Sequence, residues 1–395
     1  MKLTSDLIYG FATSLLSERY DNPKPTPQFH RELWDYCCSD HSLVAIAAPR
    51  GHAKSTAVTH AYTLAAVLFR EADFVVLVSD TELQAVQFLN DIKMELYENQ
   101  KLRSLFKVTD IYKDAEREIR FKMGPDNHQV RIMARGASGG SGSVRGFKWR
   151  GKRPNLIICD DMENDEAVSN EERRDKFRNW FYGALIPALS DTGQIRLVGT
   201  VLHFDSLLER LMPETTGDEA QYTVNENLKE YSLDKKRAWH SIKYRAHTDF
   251  DDFQDILWPE KFNEQRLTKL KNDFVKQGIS EGYAQEYLNY PIHEGDAFFR
   301  KNDFVPMSDD DYDVSKIYYA SIDFAISEKD KRSYSVITVG GVDQSGVLHI
   351  VDVIRQRMDA KQIIDEMMAV QIRYQPDLFV VEEGALKKAI GPFLK

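Results

Sequence analysis

Short apolar runs rich in β-branched residues recur along the first half of the chain, with helical patterns between them. The runs cover residues 43–48, 74–79, 130–134, 156–159 and 195–199. A strand buried on both faces reads this way, because it loses the polar alternation of a half-solvated strand. Helical periodicity covers 55–69, 82–102 and 170–189. Strands alternating with helices predict an α/β fold, a parallel central sheet layered with helices on both faces.

A chain of 395 residues exceeds one ordinary core, so two or three domains are expected. The pattern changes after Met212. Residues 213–300 are more polar, with few strand-like runs and one clear helical stretch at 264–276. A third pattern starts at Ile317: strands at 317–322, 334–340 and 347–353, a helix at 360–373, and a strand at 378–381. These shifts divide the chain into a first domain at 1–212, a linking subdomain at 213–305 and a last domain at 306–395. No apolar run approaches the length of a bilayer span. The first twenty residues lack a continuous apolar stretch and read as a short amphipathic helix, not a signal peptide.

Three cysteines, Cys37, Cys38 and Cys159, fit a reducing compartment and no disulfide framework. His30, Cys37, Cys38 and His41 match no common zinc-ligand spacing, and a helix with two buried thiols is the expected reading. The net charge of −10 argues against a wholly basic surface. A local basic track exists all the same. Residues 145–153 hold five basic side chains in nine, with Phe147 and Trp149 between them. Five glycines fall within 136–146, just before it, and predict a flexible loop.

The strand at 43–48 runs into Pro49-Arg50-Gly51-His52-Ala53-Lys54-Ser55-Thr56, and a helix follows. Strand, tight loop, Lys-Ser/Thr and helix form the phosphate-binding arrangement. Amides at the helix start would face the phosphates, and the helix dipole favours their charge. Lys54 can reach the β- and γ-phosphates, and the Ser55 hydroxyl can ligate Mg²⁺. The match is imperfect, because Ala53 stands where a glycine precedes the lysine and the first glycine is absent. About a hundred residues on, the strand at 156–159 ends in Asp160-Asp161-Met162-Glu163. Adjacent carboxylates at a buried strand end are costly unless a cation joins them. Asp160 is therefore assigned to Mg²⁺ and Asp161 to activation of the attacking water, with Glu163 as a rival. Thr200, at the tip of the strand at 195–199, could sense the γ-phosphate or simply cap a turn.

Together these segments resemble the large terminase subunit of tailed bacteriophages. The resemblance is carried by Gln28-Phe29-His30, PRGHAKST at 49–56, VRGFKWRGKRPNLIICDDME at 144–163 and LVGTVLHFDSL at 197–207. That family has deviant phosphate loops with an early arginine, which fits Arg50 and Ala53. The resemblance implies a P-loop ATPase of the ASCE type using ATP and Mg²⁺. Gln28 and Phe29 would sit at the adenine, and Arg50 and Lys54 at the phosphates, within a loop made by Arg50, Gly51, His52, Ala53, Lys54, Ser55 and Thr56. Thr200 would couple hydrolysis to movement. Arg145 would be an arginine finger acting on a neighbouring subunit, with Arg150 and Arg153 as rivals. Implied partners are double-stranded DNA, the procapsid's portal protein, the small terminase subunit and further copies in a pentameric ring. The implied location is the host cytoplasm, with transient binding to the procapsid, no membrane, and no place in the mature virion.

In the last domain, the strand at 317–322 leads to Asp323, and the strand at 378–381 leads to Glu382-Glu383. Acids at the ends of adjacent strands can share two divalent ions about 4 Å apart, the two-metal arrangement for phosphodiester cleavage. The β-β-β-α-β order resembles the RNase H-like nuclease domain of terminases, which would use Mg²⁺ or Mn²⁺ on Asp323 and Glu382 or Glu383. The family's third acid lies many tens of residues further on, beyond Lys395, so this domain is expected to be partial and to cut DNA poorly as it stands. A helicase sharing the phosphate loop, or a non-catalytic DNA-binding module with a relic nucleotide site, is the alternative reading.

Overall fold

The computed structural model describes residues 2–16, 24–137, 146–212, 222–225, 228–232, 238–291, 305–323, 335–356, 358 and 360–381. It divides into two compact units, Met1–Asp296 and Ala297–Lys395. The first unit is built on ten strands: β1 Leu43–Ala47, β2 Phe74–Ser79, β3 Val108–Ala115, β4 Glu118–Met123, β5 His128–Gly136, β6 Leu156–Asp160, β7 Gln194–Gly199, β8 Tyr222–Asn225, β9 Lys229–Ser232 and β10 His240–Tyr244. Their spatial order is β3-β4-β5-β2-β6-β7-β1-β10-β9-β8. The six central strands, from β5 to β10, are all parallel. Antiparallel pairs extend the sheet at both edges.

Both faces of the central strands are covered, which explains their unbroken apolar sequences. Val44, Ile46, Val75, Leu77 and Ile158 point into one core, and Ala45, Ala47, Val76, Val78, Ile157 and Leu197 into the other. Successive side chains on a strand alternate between faces, so each strand supplies both layers. Arg196 interrupts the apolar pattern of β7 and is fully buried. Its guanidinium donates to the carbonyls of Cys37 at 2.8 Å, His41 at 3.0 Å and Ile195 at 3.1 Å. A cation at the C-terminal end of helix Gln28–Cys38 satisfies carbonyls the helix leaves open and complements its dipole.

Several local features differ from the sequence expectation. β3 and β4 form a hairpin without an apolar run: β3 is mostly exposed, while β4 alternates polar residues with the buried Ile119, Phe121 and Met123. The single helix expected at 82–102 is two, Glu82–Glu98 and Gln100–Phe106. Asn99 leaves helical geometry between them, and its side chain caps the second helix through Leu102 N at 3.0 Å. The stretch at 213–300 holds more strands than its sequence suggests. β10 lies beside β1, with Val44 opposite His240, and β11 (His247–Asp249) pairs with β12 (Asp252–Ile256).

The second unit has a four-stranded sheet of β13 Lys316–Asp323, β14 Ser335–Asp343, β15 Leu348–Gln356 and β16 Leu378–Val381, in the order β15-β14-β13-β16. β13, β14 and β15 are antiparallel neighbours, while β16 runs parallel to β13 after the helix Ala360–Tyr374. Ala320, Ile322, Ile337 and Val339 form its core with Ile363 and Val370 of that helix. Among the described residues, no helix is long and apolar enough to cross a membrane.

Candidate nucleotide site

The C-terminal ends of β1, β7 and β6 lie side by side, and the loop 48–55 leaves from β1 at this edge. Gly51 and Ala53 both adopt left-handed backbone conformations, with φ of +73° and +57°. Glycine takes that geometry freely, whereas alanine strains to do so. A Cβ at Gly51 would also stand 3.1 Å from the Phe262 ring. His52 is buried and stacks on Phe262 with centroids 4.5 Å apart. Burial lowers the His52 pKa to about 3, so the ring is neutral. Its carbonyl accepts the His30 Nε2–H at 2.8 Å. The loop thus rests on aromatic contacts on one side and opens its helix start on the other.

Lys54 is buried and points across this edge. Its ammonium donates to Thr200 Oγ1 at 2.9 Å and stands 3.2 Å from Asp161 Oδ2. Asp161 accepts the Thr200 amide on its other oxygen at 3.2 Å. Lysine, threonine and aspartate from three separate segments therefore form one linked set. Asp160 lies beneath it with no solvent exposure. One carboxylate oxygen accepts from the Thr59 hydroxyl, and the Ser55 hydroxyl also reaches the group. The other oxygen, Oδ1, is buried without a hydrogen-bond partner. Burial first, and then the Asp161 charge, raise the Asp160 pKa. A buried acceptor without a donor, next to a second carboxylate and a serine hydroxyl, is the donor set a small divalent cation would satisfy.

Glu163 is committed differently. Its two oxygens accept the Leu207 amide at 2.8 Å and the Leu208 amide at 3.0 Å. It therefore caps the short helix Leu207–Leu211. Asp80, at the end of β2, has no counterpart in the sequence reading. It accepts from Asn164 at 2.7 Å, and its own amide reaches the Asp161 carbonyl at 3.2 Å.

A cavity of about 900 Å³ opens beside Ala53, Ser55 and Thr56, lined further by Lys24, Thr26, His30, His60 and Trp258. Neither Gln28 nor Phe29 lines it. Gln28 is exposed on the first turn of its helix. Phe29 is buried in an aromatic cluster with His30, His52, Tyr244 and Trp258. Cys37 is fully buried and Cys38 half-buried, and burial raises both thiol pKa values to about 12.

The basic track forms a two-residue hairpin. Trp149 and Lys152 exchange both backbone hydrogen bonds, at 2.9 and 3.0 Å, around Arg150 and Gly151. Both turn residues have positive φ, +52° and +80°, as a tight hairpin turn requires. Arg150 and Arg153 are exposed here at the start of β6, a full strand away from Asp160 at its end. Arg145 lies outside the described residues.

In the second unit Asp323 is the last residue of β13 and is exposed. Its neighbour Ile322 lies opposite Val381, the last residue of β16. Glu382 and Glu383 lie outside the described residues. Among the described residues, no group of three or more His, Cys, Asp or Glu is arranged to hold a metal ion.

No protein-family model matches the chain, and no curated protein matches it either. Solved structures do. The large terminase ATPase domain of Thermus phage P74-26 shares 14% identity over 68% of this chain and 95% of its own, with a TM-score of 0.46. The chain resembles large terminases in structure. The large terminase of thermophilic bacteriophage D6E in complex with ADP shares 12% identity over 92% of this chain and 79% of its own, at a TM-score of 0.43. The Phi-28 gp11 DNA packaging motor shares 12% identity over 90% and 88%, at 0.35.

Proposed function

We propose that the first unit is a P-loop ATPase motor of the terminase type, which draws double-stranded DNA into a viral procapsid. One observation carries the reading. Lys54, Thr200 and Asp161 meet at the edge where β1, β7 and β6 end, above a buried Asp160 oxygen that has no partner. Lys54 binds the β- and γ-phosphates of ATP, and the amides at the start of the following helix face them. Ser55 and Asp160 would hold Mg²⁺, which neutralises phosphate charge when bound. Asp161 orients the attacking water and accepts its proton. Glu163 is tied to two amides, which favours Asp161 for that role. Thr200, bonded to Lys54, registers whether the γ-phosphate is present. The cavity beside Thr56 has the size and mixed lining for a nucleoside.

An arginine from a neighbouring copy completes the site in a ring, pentameric on the portal, with Arg145 as the first candidate. Arg150 and Arg153 stand at the far end of β6, roughly 16 Å of strand from Asp160, so either could serve only a neighbour's site. The second unit is proposed as an RNase H-like endonuclease in which Asp323 and Glu382 or Glu383 would bind Mg²⁺ or Mn²⁺. The small terminase subunit and the portal are proposed partners, in the host cytoplasm.

The test is ATP hydrolysis by the full chain with duplex DNA and a strand-separation readout. The motor hydrolyses ATP without releasing single strands, and Lys54→Ala abolishes hydrolysis. Release of single strands would favour a helicase, and hydrolysis unchanged by Lys54→Ala would remove the site from the chemistry.

A further inference from the structure

Asp161 holds a left-handed backbone geometry, with φ of +42°. Aspartate tolerates this region better than most residues, but it settles there only when its surroundings impose it. The restraints come from two strands. From β7, the Val198 carbonyl accepts the Asp161 amide at 3.0 Å, and the Thr200 amide donates to the Asp161 carboxylate. From the end of β2, the Asp80 amide donates to the Asp161 carbonyl at 3.2 Å. Asp80 directly follows Ser79, which lies opposite Asp160 in the parallel pairing of β2 with β6.

The Asp80 side chain takes a second hold on the same loop. It is buried, and it accepts from the Asn164 side-chain amide at 2.7 Å. The Asn164 side-chain oxygen meanwhile accepts the Ala167 amide at 2.6 Å and caps helix Asp165–Val168. Asp80 thus pins both ends of the loop 161–164, the first residue by its backbone and the last by its side chain. Between them Met162 is buried, and Glu163 is tied to the Leu207 and Leu208 amides. A buried carboxylate is costly, and an apolar residue would finish β2 without that cost. What the acid contributes is a fixed loop that aims Asp161 at Lys54 and Thr200. A displacement of about 1 Å in a group that acts only during reaction lowers kcat about 100-fold.

We infer that Asp80 is a positioning residue: with Asn164 it locks the loop 161–164, so that Asp161 holds the attacking water in line. This rests on the ATPase reading of the site. Within that reading it gives the end of β2 a role in hydrolysis and none in holding the nucleotide.

The experiment measures ATP turnover and ATPγS affinity on the same preparations of the full chain, with urea midpoints to confirm folding. Asn164→Ser keeps a cap for Ala167 but is too short to reach Asp80. It is expected to lower kcat about 10-fold and to leave the ATPγS Kd within about twofold. Asn164→Asp also keeps the cap, but it sets two carboxylates against each other, and a loss of about 30-fold in kcat is expected. The double variant Asp80→Asn with Asn164→Asp restores the bond with donor and acceptor exchanged. It is expected to recover kcat to within about fivefold of the wild type. Wild-type kcat in Asn164→Ser overturns the inference, and this arm stands even where Asn164→Asp fails to fold. A folded double variant no faster than Asn164→Asp overturns it too. So does a loss of kcat matched by an equal loss of ATPγS affinity, which would give the pair a purely structural role. These outcomes leave the ATPase reading standing. Wild-type protein that hydrolyses no ATP, or whose hydrolysis survives Lys54→Ala, would instead overturn that reading, and this inference with it.

Discussion

β6 in the first unit and β13 in the second each end in an aspartate beside a parallel neighbour, yet the two acids have little else in common. Asp160 is sealed from solvent, bonded by Thr59, flanked by Lys54 and Asp161, and left with one orphaned oxygen. Asp323 is exposed, and among the described residues its place is given by backbone register, through Val336 opposite it and the pairing of Ile322 with Val381. A strand-end acid becomes a site through the side chains that converge on it. In the first unit that convergence depends on a rigid frame of buried polar contacts around β7.

The frame can be broken most severely at Arg196. Replacing it by alanine strips buried carbonyls of Cys37, His41 and Ser39 of a charged donor. A loss of about 3–5 kcal/mol is expected, read as a large fall in the urea midpoint together with loss of ATP hydrolysis. A loss under about 1 kcal/mol would mean the frame does not depend on this residue.

The proposed water-activating role goes to Asp161, with Glu163 as its rival. Asp161→Asn is expected to lower kcat about 100-fold or more. Glu163→Gln keeps one acceptor for the Leu207 and Leu208 amides and is expected to cost less than ten-fold in kcat and about 1 kcal/mol in stability. The reverse pattern in steady-state kinetics would give the water-activating role to Glu163. If the second unit nicks plasmid DNA with Mn²⁺, as the nuclease proposal requires, Asp323→Asn is expected to remove that activity. Nicking that persists would separate Asp323 from any cleavage and widen the contrast between the two strand ends.

The smallest effect concerns acid stability. Burial alone would raise the Asp205 pKa, but bonds from Arg210 and Arg174 and the charge of Arg178 bring it below the usual carboxylate range. A depressed folded pKa stabilises the fold above the unfolded value near 4, and that contribution fades as pH falls through the folded one. Asp205→Asn should therefore flatten the loss of stability between about pH 5 and pH 3 by less than about 1 kcal/mol. An unchanged acid limb in urea melts would show that Asp205 does not link the arginines.

Much of the first unit is legible in the sequence, for a physical reason. Strands buried on both faces must be continuously apolar, so β1, β2, β5, β6 and β7 declare themselves, and Lys54 and Asp160 stand at their ends. The β3–β4 hairpin, the short inner strand β10 and the edge pair β8 and β9 carry no such run and go unseen. Asn99 splits a helix through a capping bond that hydrophobic periodicity does not register. At the site, Thr59, Asp80 and Asn164 are invisible beforehand, because their roles come from tertiary partners up to 101 residues away. Phe29 has the size and position for a base-stacking ring, yet the protein spends it on the core beneath His52.

The central claim is that Asp160 presents a cation site to a nucleotide held by Lys54. Calorimetric titration of ATPγS with and without Mg²⁺, in the wild type and in Asp160→Asn, tests it most directly. The wild type should bind at least about ten-fold more tightly with Mg²⁺, and Asp160→Asn should bind equally with and without it. Wild-type affinity that is indifferent to Mg²⁺, or a Mg²⁺ dependence that survives in Asp160→Asn, would contradict the account.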